Sequence, residues 1–483
     1  MMKRRQNQKV TMALGLSLCV LAGCEGLLDV DLPASLTNAA LEDPTGAPVI
    51  LNSVITHFED GFDLQNYYIF GREESGEVYL CGPMCSMSTY DTGSNTFEEY
   101  SESLRFNFEL RSRLEAEWTV ADVPDRARMM AQTSLYEGAV LSIMGSKLCE
   151  VTLNGGALQT PGAILDQAEA SLTRAISEIN AAGDFALMNG ISTSALHMAQ
   201  GLRAQVRWFK GDNAGALTDA SSIPQGFVAY ATREPGPARQ NRGWTSGTGG
   251  GFMELYDPID WWIGLNNPVT GTAWPAVIPF TGWTFLGIQA DGRAIGEDDI
   301  PIRTKAGWHN AHGVTAGAVV DTRVSHTEAS VTGKSTTFGE VASKFTGEGS
   351  DIPLVNWAEM VLIRAEIQGG QEAIDRVNEL RTFSNLPQVT YADAGNAQQI
   401  KHMIWEERRR ELFNEGRFFY TKLKNLDELW FPRDNGGTRG QNRGLTGGVR
   451  YTMPSGEYVA NENLTVADKA TGCATHERPV NPA

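Results

Sequence analysis

Cysteine and basic residues are both scarce in this 483-residue chain, and each scarcity removes a class of explanation. There are six cysteines, Cys19, Cys24, Cys81, Cys85, Cys149 and Cys473, too few to staple a chain of this length, so the fold must rest on a buried core. Lys and Arg number 40 against 58 Asp and Glu, a formal net charge of −18. That balance argues against nucleic acid as a partner and against adhesion to anionic lipid through a basic patch. Long apolar runs are missing beyond the start: no later segment approaches the ~18 uninterrupted apolar residues of a membrane-crossing helix. Catalytic signatures are missing too. The chain has no nucleophile elbow, no phosphate-binding glycine loop and no helix with a pair of zinc-binding histidines.

The one apolar run that is present runs from Val10 to Val20, behind Lys3, Arg4, Arg5 and Lys9 and ahead of Leu21-Ala22-Gly23-Cys24. It is about half as long as a bilayer-crossing helix, and small residues before a cysteine resemble the lipobox of bacterial lipoproteins. Residues 1–23 are therefore expected to be a lipoprotein signal peptide, and Cys24 the lipidated first residue of a mature chain 24–483. A buried N-terminal helix would have to tolerate this charge asymmetry and the switch to Glu25-Gly26. Cleavage takes four positive charges from the net of −18 and leaves −22, so acyl chains, and not the protein surface, have to hold the membrane. Cys81 and Cys85 are read as a short loop disulfide of an oxidising compartment, with a pair of free thiols as the alternative; zinc would need two further ligands that the spacing does not offer.

Helical periodicity covers 127–221 and 353–423. Ala127, Ala131, Ser134, Gly138, Leu141 and Gly145 form a stripe of small residues that lets another helix approach closely. Thr160-Pro161 reads as a cap and first-turn proline ahead of Leu165, Ala168, Leu172, Ala175, Ile176 and Ile179. The spacing returns at Ala195, Ala199, Leu202, Val206 and Phe209, and Lys210-Gly211-Asp212-Asn213 turns the chain into a short helix with Ala216, Leu217 and Ala220. Such antiparallel pairs read as a TPR-like array, although no 34-residue repeat is visible.

From Gly226 to Gly349 the period disappears, while 20 of the 51 glycines and six of the eleven tryptophans gather there. Aromatic content on this scale excludes a solvated linker; region 226–349 is expected to drape over the helical core or to serve a ligand. The helical period resumes at Pro353 with Leu354, Ala358, Val361 and Ala365, continues through Ala373, Val377 and Leu380, and opens a third helix near Gln398. That helix carries Glu407 and Glu411 on the apolar face set by Ile400, Met403 and Ile404. Arg364 and Arg381 in the neighbouring helices are the expected ion-pair partners. A catalytic pair would instead need one carboxyl with a raised pKa across a cleft.

Asp321-Thr322-Arg323, Lys344-Phe345, the run Ile352 to Glu366, Ile374 to Arg381, and Glu407-Arg408-Arg409-Arg410-Glu411-Leu412-Phe413-Asn414-Glu415-Gly416-Arg417-Phe418-Phe419 together resemble the SusD/RagB family of outer-membrane nutrient-binding lipoproteins. The likeness covers roughly Asp321 to Leu423, and the N-terminal half agrees in layout only; Asn356-Trp357 departs from the family pattern. The resemblance implies a mainly α fold, TPR-like helix pairs in a right-handed superhelix with a loop-rich, aromatic ligand-binding part packed on it. It also implies a surface-exposed protein of the outer membrane that captures a glycan or peptide for a SusC-like TonB-dependent transporter, without catalysis and without a cofactor.

Saccharide recognition needs flat apolar faces for pyranose rings and planar polar groups for hydroxyls. Trp261 and Trp262 beside Asp257, Asp260, Asn266 and Asn267 supply that mixture, with Trp244, Trp274 and Trp283 as further candidates, although single aromatics in a large protein are more often packed than exposed. Arg72 with Glu73, Tyr90 and Asn95 resembles the area where the family often places sugar contacts. His309 and His312 stand between Gly307 and Gly313 and read as loop histidines, and Glu297-Asp298-Asp299 as a solvated turn, so no metal site is expected. The leading expectation is a glycan-binding lipoprotein. A lipid-anchored helical glycoside hydrolase using Glu407 or Glu411 is the second, and a TPR-type assembly scaffold the third, disfavoured by the aromatic centre.

Overall fold

A computed structural model of the chain describes residues 42–70, 93–244, 323, 326–328, 340–342, 344–386, 388–389, 392–412, 415–425 and 450–468. The chain divides into a unit of residues 1–48 and a unit of residues 49–483. In the first, Asp43 caps the single 3-10 turn Pro44–Gly46 by accepting from the Thr45 N–H at 2.9 Å.

The second unit is mainly α-helical. Helix α1 (Ala47–Phe70) buries Ile50, Leu51, Val54, Ile55, Phe58 and Phe62, apolar residues spaced by one turn, and α2 (Gly93–Ala116) buries Phe97, Tyr100 and Leu110. The two meet closely at Gly61, where a Cβ would lie 2.8 Å from Tyr100 Cε1. Buried polar atoms are matched across the pair: Ser103 Oγ donates to Val54 O at 2.8 Å and Tyr100 Oη to Gln65 Oε1 at 2.7 Å.

Helices α3 (Arg126–Lys147), α4 (Pro161–Ala182), α5 (Ala195–Lys210) and α6 (Asn213–Ser221) then pack successively. The small-residue stripe of α3 makes the α3–α4 approach possible, since a Cβ on Gly138 would fall 2.5 Å from Leu172 Cγ and one on Gly145 2.9 Å from Leu165 Cγ. The first of three side-chain caps stands where the sequence places it. Thr160 Oγ1 accepts from Ala163 N ahead of Pro161, Ser194 Oγ accepts from His197 N at 3.0 Å, and Asp212 Oδ1 accepts from Gly215 N at 3.0 Å. Gly211 ends α5 in the left-handed region at φ 90°, which a β-carbon would disfavour.

Strand β1 (Val228–Ala231) opens the Gly/Trp-rich region, and β2 (His326–Glu328) pairs antiparallel with β3 (Glu340–Ala342). Strand β4 (Ile352–Asn356) pairs antiparallel with β1, Val228 opposite Asn356 and Tyr230 opposite Pro353, with a register shift between Ala229 and Tyr230. This corrects the expectation that helix resumes at Pro353. Pro353 has no N–H for the ladder, the Tyr230 N–H turns to Ile191 O at 2.8 Å, and the helix waits for Asn356, whose Oδ1 accepts from Glu359 N at 2.6 Å. Helix α7 (Trp357–Gln368) follows, then α8 (Gly370–Phe383), α9 (Ala397–Glu411) and α10 (Phe418–Lys424). Trp357 is buried and meets Phe383 edge-on, so the two residues that depart from the family pattern cap and seat α7.

The C-terminal stretch 450–468, with α11 (Glu457–Ala460), clasps the end of α3: Tyr451 N donates to Lys147 O at 3.0 Å, Cys149 N to Tyr451 O at 2.8 Å, and Asn463 Nδ2 to Gly155 O at 2.7 Å. Cys149, whose state the sequence leaves open, is disulfide-bonded.

Candidate functional site

Most of the sequence-derived ligand candidates, Trp261, Trp262, Asp260, Asn266, Trp283, Arg72 and Tyr90, lie outside the described residues, as do Cys24, Cys81 and Cys85. Asn95 lies in the first turn of α2, and its side chain is outside the description. Trp244 is described: it is half-buried in the helical residues 242–244, and its N–H donates to Asn241 Oδ1 at 3.0 Å.

The stretch 232–244 is held from two sides. On one side stand three acids of α1. Glu59 accepts from the Thr232 N–H at 2.8 Å and from the Arg239 guanidinium, Asp60 from Arg233 at 2.9 Å, and Asp63 from both the backbone N–H (3.0 Å) and the guanidinium (2.6 Å) of Arg242. On the other side is the segment leading into β4. Asn241 N donates to Glu348 O at 2.7 Å, Asn241 Nδ2 to Ser350 O at 2.8 Å, and Arg233 N to Asp351 Oδ1 at 2.7 Å. Burial pushes the Glu59 and Asp63 carboxyls above the usual range, against the pull of their arginines. The departure and return of the Gly/Trp-rich region thus form one closed neck against α1.

The sequence reading did not single out this acid ladder, although Glu59 and Asp63 stand four apart beside Ile55, Phe58 and Phe62 on the buried face of a helical pattern. Acids at such positions are a signal that cationic partners must arrive from elsewhere in the chain.

A second charge network joins α7, α8, α9 and the link to α10. Glu407 is fully buried and accepts from Arg381 Nε at 2.9 Å and from Arg323 Nη1 at 2.8 Å; Arg323 also reaches Glu411 at 3.1 Å. Arg364, expected as a partner of these acids, stands instead among Arg376, Glu372 and Glu379 of α8. The reason is helical phase: position 364 is about 140° around α7 from Glu359 and about 160° from Glu366, which face α9. Arg323, which the sequence marks only within the family pattern, supplies the second guanidinium from 84 residues before Glu407.

Deeper in, Arg417 grips Glu359 through Nη2 at 2.8 Å, and Gln205 of α5 donates to the same carboxylate at 2.7 Å. Arg408 lies 4.0 Å over the Trp208 ring and Lys424 Nζ 4.4 Å from it, both beside Glu366 at 3.4 and 3.3 Å. Burial holds both cations below their ordinary pKa. Glu415 accepts from Lys344 at 2.6 Å and from Asn356 Nδ2 at 2.9 Å, yet burial raises its pKa from 4.5 to about 7. Lys344 thereby ties the return of the Gly/Trp-rich region to the end of α9. An acid or base in catalysis has to reach a substrate proton; Glu407, enclosed by two guanidinium groups, is placed as a structural ion.

An open groove of about 830 Å³ runs along α4, lined by Asp166, Glu169, Thr173, Arg174, Ser177 and Lys210. Its cations are already paired, Lys210 with Asp166 and Glu169 and Arg174 with Glu137, and no tryptophan lines it. Among the described residues no cluster of His, Cys, Asp and Glu is arranged to hold a metal ion, and no helix is long and apolar enough to cross a membrane.

Residues 325–421, which span β2 to α10, match the model of the SusD family. Among curated proteins none matches the chain. Among solved structures the chain is similar to a SusD-like carbohydrate binding protein from Bacteroides vulgatus, at 13% identity and a TM-score of 0.57, covering 87% of this chain and 97% of that one. A SusD superfamily protein from Parabacteroides distasonis gives 13% identity, a TM-score of 0.55 and coverage of 87% and 98%. Surface glycan-binding protein A from Bacteroides thetaiotaomicron, in complex with laminarihexaose, gives 13% identity, a TM-score of 0.51 and coverage of 86% and 98%. At such identities the likeness is one of fold, and it agrees with a mainly α, TPR-like architecture.

Proposed function

We propose that this chain, a SusD/RagB family protein, is a lipid-anchored protein of the outer-membrane surface that binds a glycan or oligosaccharide and delivers it to a SusC-like TonB-dependent transporter. The observation that carries the reading is the combination of the family segment 325–421 with a SusD-like fold spanning nearly the whole length of its solved neighbours, one of which is a complex with laminarihexaose. The sequence supplies the fitting chemistry in the region that the neck holds: Trp261 and Trp262 as ring platforms, Asp260 and Asn266 as hydroxyl readers, Trp244 and Trp283 beside them, with Arg72 and Tyr90 from the α1–α2 connection and Asn95 from the start of α2. Cys24 supplies the anchor through its acyl chains, since a mature net charge of −22 gives anionic lipid nothing to hold.

Both acids of the hydrolase alternative are engaged as ion-pair partners, Glu407 fully buried between Arg381 and Arg323, and Glu411 on the same Arg323 at 3.1 Å. The function therefore reads as capture and transfer rather than cleavage.

The test is a calorimetric titration of the wild type and of the Trp261→Ala/Trp262→Ala double variant against a panel of neutral oligosaccharides, with melting curves on the same samples. The expected result is binding by the wild type, and a loss of about 1–3 kcal/mol in the variant with folding retained. A large drop in melting temperature with unaltered affinity removes these two rings from the site. Cys24→Ala is expected to leave a folded protein that no longer pellets with outer membrane; a variant that still pellets and takes up acyl label overturns the anchor.

A further inference from the structure

We infer that Asp63 of α1 is a positioning residue for ligand binding, acting through Arg242 to fix the direction in which Trp244 presents its indole. The inference rests on the reading of this chain as a saccharide binder. Asp63 is almost fully buried and accepts hydrogen bonds from Arg242 at both carboxylate oxygens, at Oδ1 from its N–H and at Oδ2 from its guanidinium, at 3.0 and 2.6 Å, with the Arg233 guanidinium farther off at 3.9 Å from Oδ2. The neighbouring residue is fixed just as firmly: Asn241 is fully buried, gives its N–H to Glu348 O and its amide group to Ser350 O, and accepts the Trp244 N–H at 3.0 Å.

Two consecutive residues thus have their peptide orientation set by buried partners, and the tryptophan follows within the same helical turn. A chain root that only needed to be closed would be served by apolar contact, which avoids the desolvation of three acids within little more than one turn of α1. What the acid ladder adds is direction: a carboxylate that takes a backbone N–H and its own residue's guanidinium together admits one register of 241–244. Glu59 and Asp60 hold Thr232, Arg239 and Arg233 upstream, so Asp63 is the acid nearest in sequence contact to Trp244.

A double-mutant cycle on affinity tests this. Wild type, Asp63→Asn, Trp244→Ala and the double variant are titrated with laminarihexaose, maltohexaose, cellohexaose and xylohexaose well below their melting temperatures. Asp63→Asn is expected to weaken binding about tenfold in the wild-type background and to add little in the Trp244→Ala background, a non-additivity that a merely structural role does not produce. Additive effects, an unchanged affinity in Asp63→Asn, or wild-type affinity in Trp244→Ala each overturn the inference. Should Asp63→Asn fail to fold, Arg242→Lys, which keeps the charge but not the two-point geometry, takes its place in the cycle with the same expected pattern. A wild type that binds none of the four overturns the ligand reading, and the inference with it; a wild type that binds while the cycle is additive overturns the inference alone.

Discussion

Gly201 of α5 lies flush against Val355 of β4, so close that a Cβ on the glycine would stand 2.2 Å from Val355 Cγ1. This contact seats the strand that leads into α7 on the first group of helices. Gly201→Ala is expected to destabilise the protein by about 1–3 kcal/mol, although alanine is the better helix former by about 1 kcal/mol. Val355→Ala removes the clashing methyl, so the double variant should be more stable than the sum of the single losses. Denaturant melts of the four proteins read the coupling directly.

Glu407 and Glu411 share Arg323 but differ in what surrounds them. Glu407 is fully buried with Arg381 as a second partner, whereas the Glu411 side chain is 18% exposed. Glu407→Gln takes the buried carboxylate from Arg381 and leaves Arg323 only the partly exposed Glu411, with an expected loss of about 3–5 kcal/mol. Glu411→Gln leaves Arg323 its stronger partner, with an expected loss of about 1 kcal/mol. Equal losses in urea melts would contradict this division of the network.

Asn356 performs two tasks at the β4–α7 junction, accepting from Glu359 N at 2.6 Å and donating Nδ2 to Glu415 at 2.9 Å. Asn356→Ala is expected to cost about 1 kcal/mol for the cap and a further 1–2 kcal/mol for the stranded carboxylate. Asn356→Asp keeps the cap but sets a carboxylate against Glu415, so its loss should shrink as the pH is lowered. A loss that is the same at all pH values would assign the whole effect to the cap.

The helical parts of this fold were legible wherever the signal was local. The Gly138–Gly145 stripe, the Thr160-Pro161 start and the Gly211-Asp212 turn need only neighbours within a few residues. The same spacing marks Ile50 to Phe62 of α1, which the reading passed over. Strand β4 was not legible, because Ile352-Pro353-Leu354-Val355 fits a proline-first helix equally well and its partner β1 stands far upstream. The ion pairs of Arg323 and Lys344 were not legible for the same reason: their acids stand far downstream. Of the proposed ligand site, sequence offered the aromatic chemistry, whereas the acid ladder is a relationship between α1 and residues 232–242 that only folding creates.

Glu415 sets a pH dependence whose sign follows from burial. Its pKa rises from 4.5 to about 7 on folding, so between those values the folded chain holds a proton that the unfolded chain has released. Stability therefore falls as pH rises through this window, by about 3 kcal/mol from this group alone, with most of the fall complete above about 7. His57, whose pKa its Glu99 partner raises, contributes with the same sign at higher pH, its stabilisation being full below 6.5 and lost as pH rises through the raised value. Burial of Glu59 and Asp63 also raises their pKa values, so the wild-type curve is a sum, and a difference measurement is needed. In Glu415→Gln the Asn356 contact and the Lys344 donation to Glu411 O at 3.0 Å can both persist, while the buried titration is gone. The variant should equal the wild type near pH 4.5 and exceed it above pH 7, so that the difference in unfolding free energy grows from near zero to about 3 kcal/mol across the window. A difference that stays flat, or that grows in the opposite direction, would show that Lys344 keeps Glu415 ionised at every pH and that the charge pair stabilises the junction it spans.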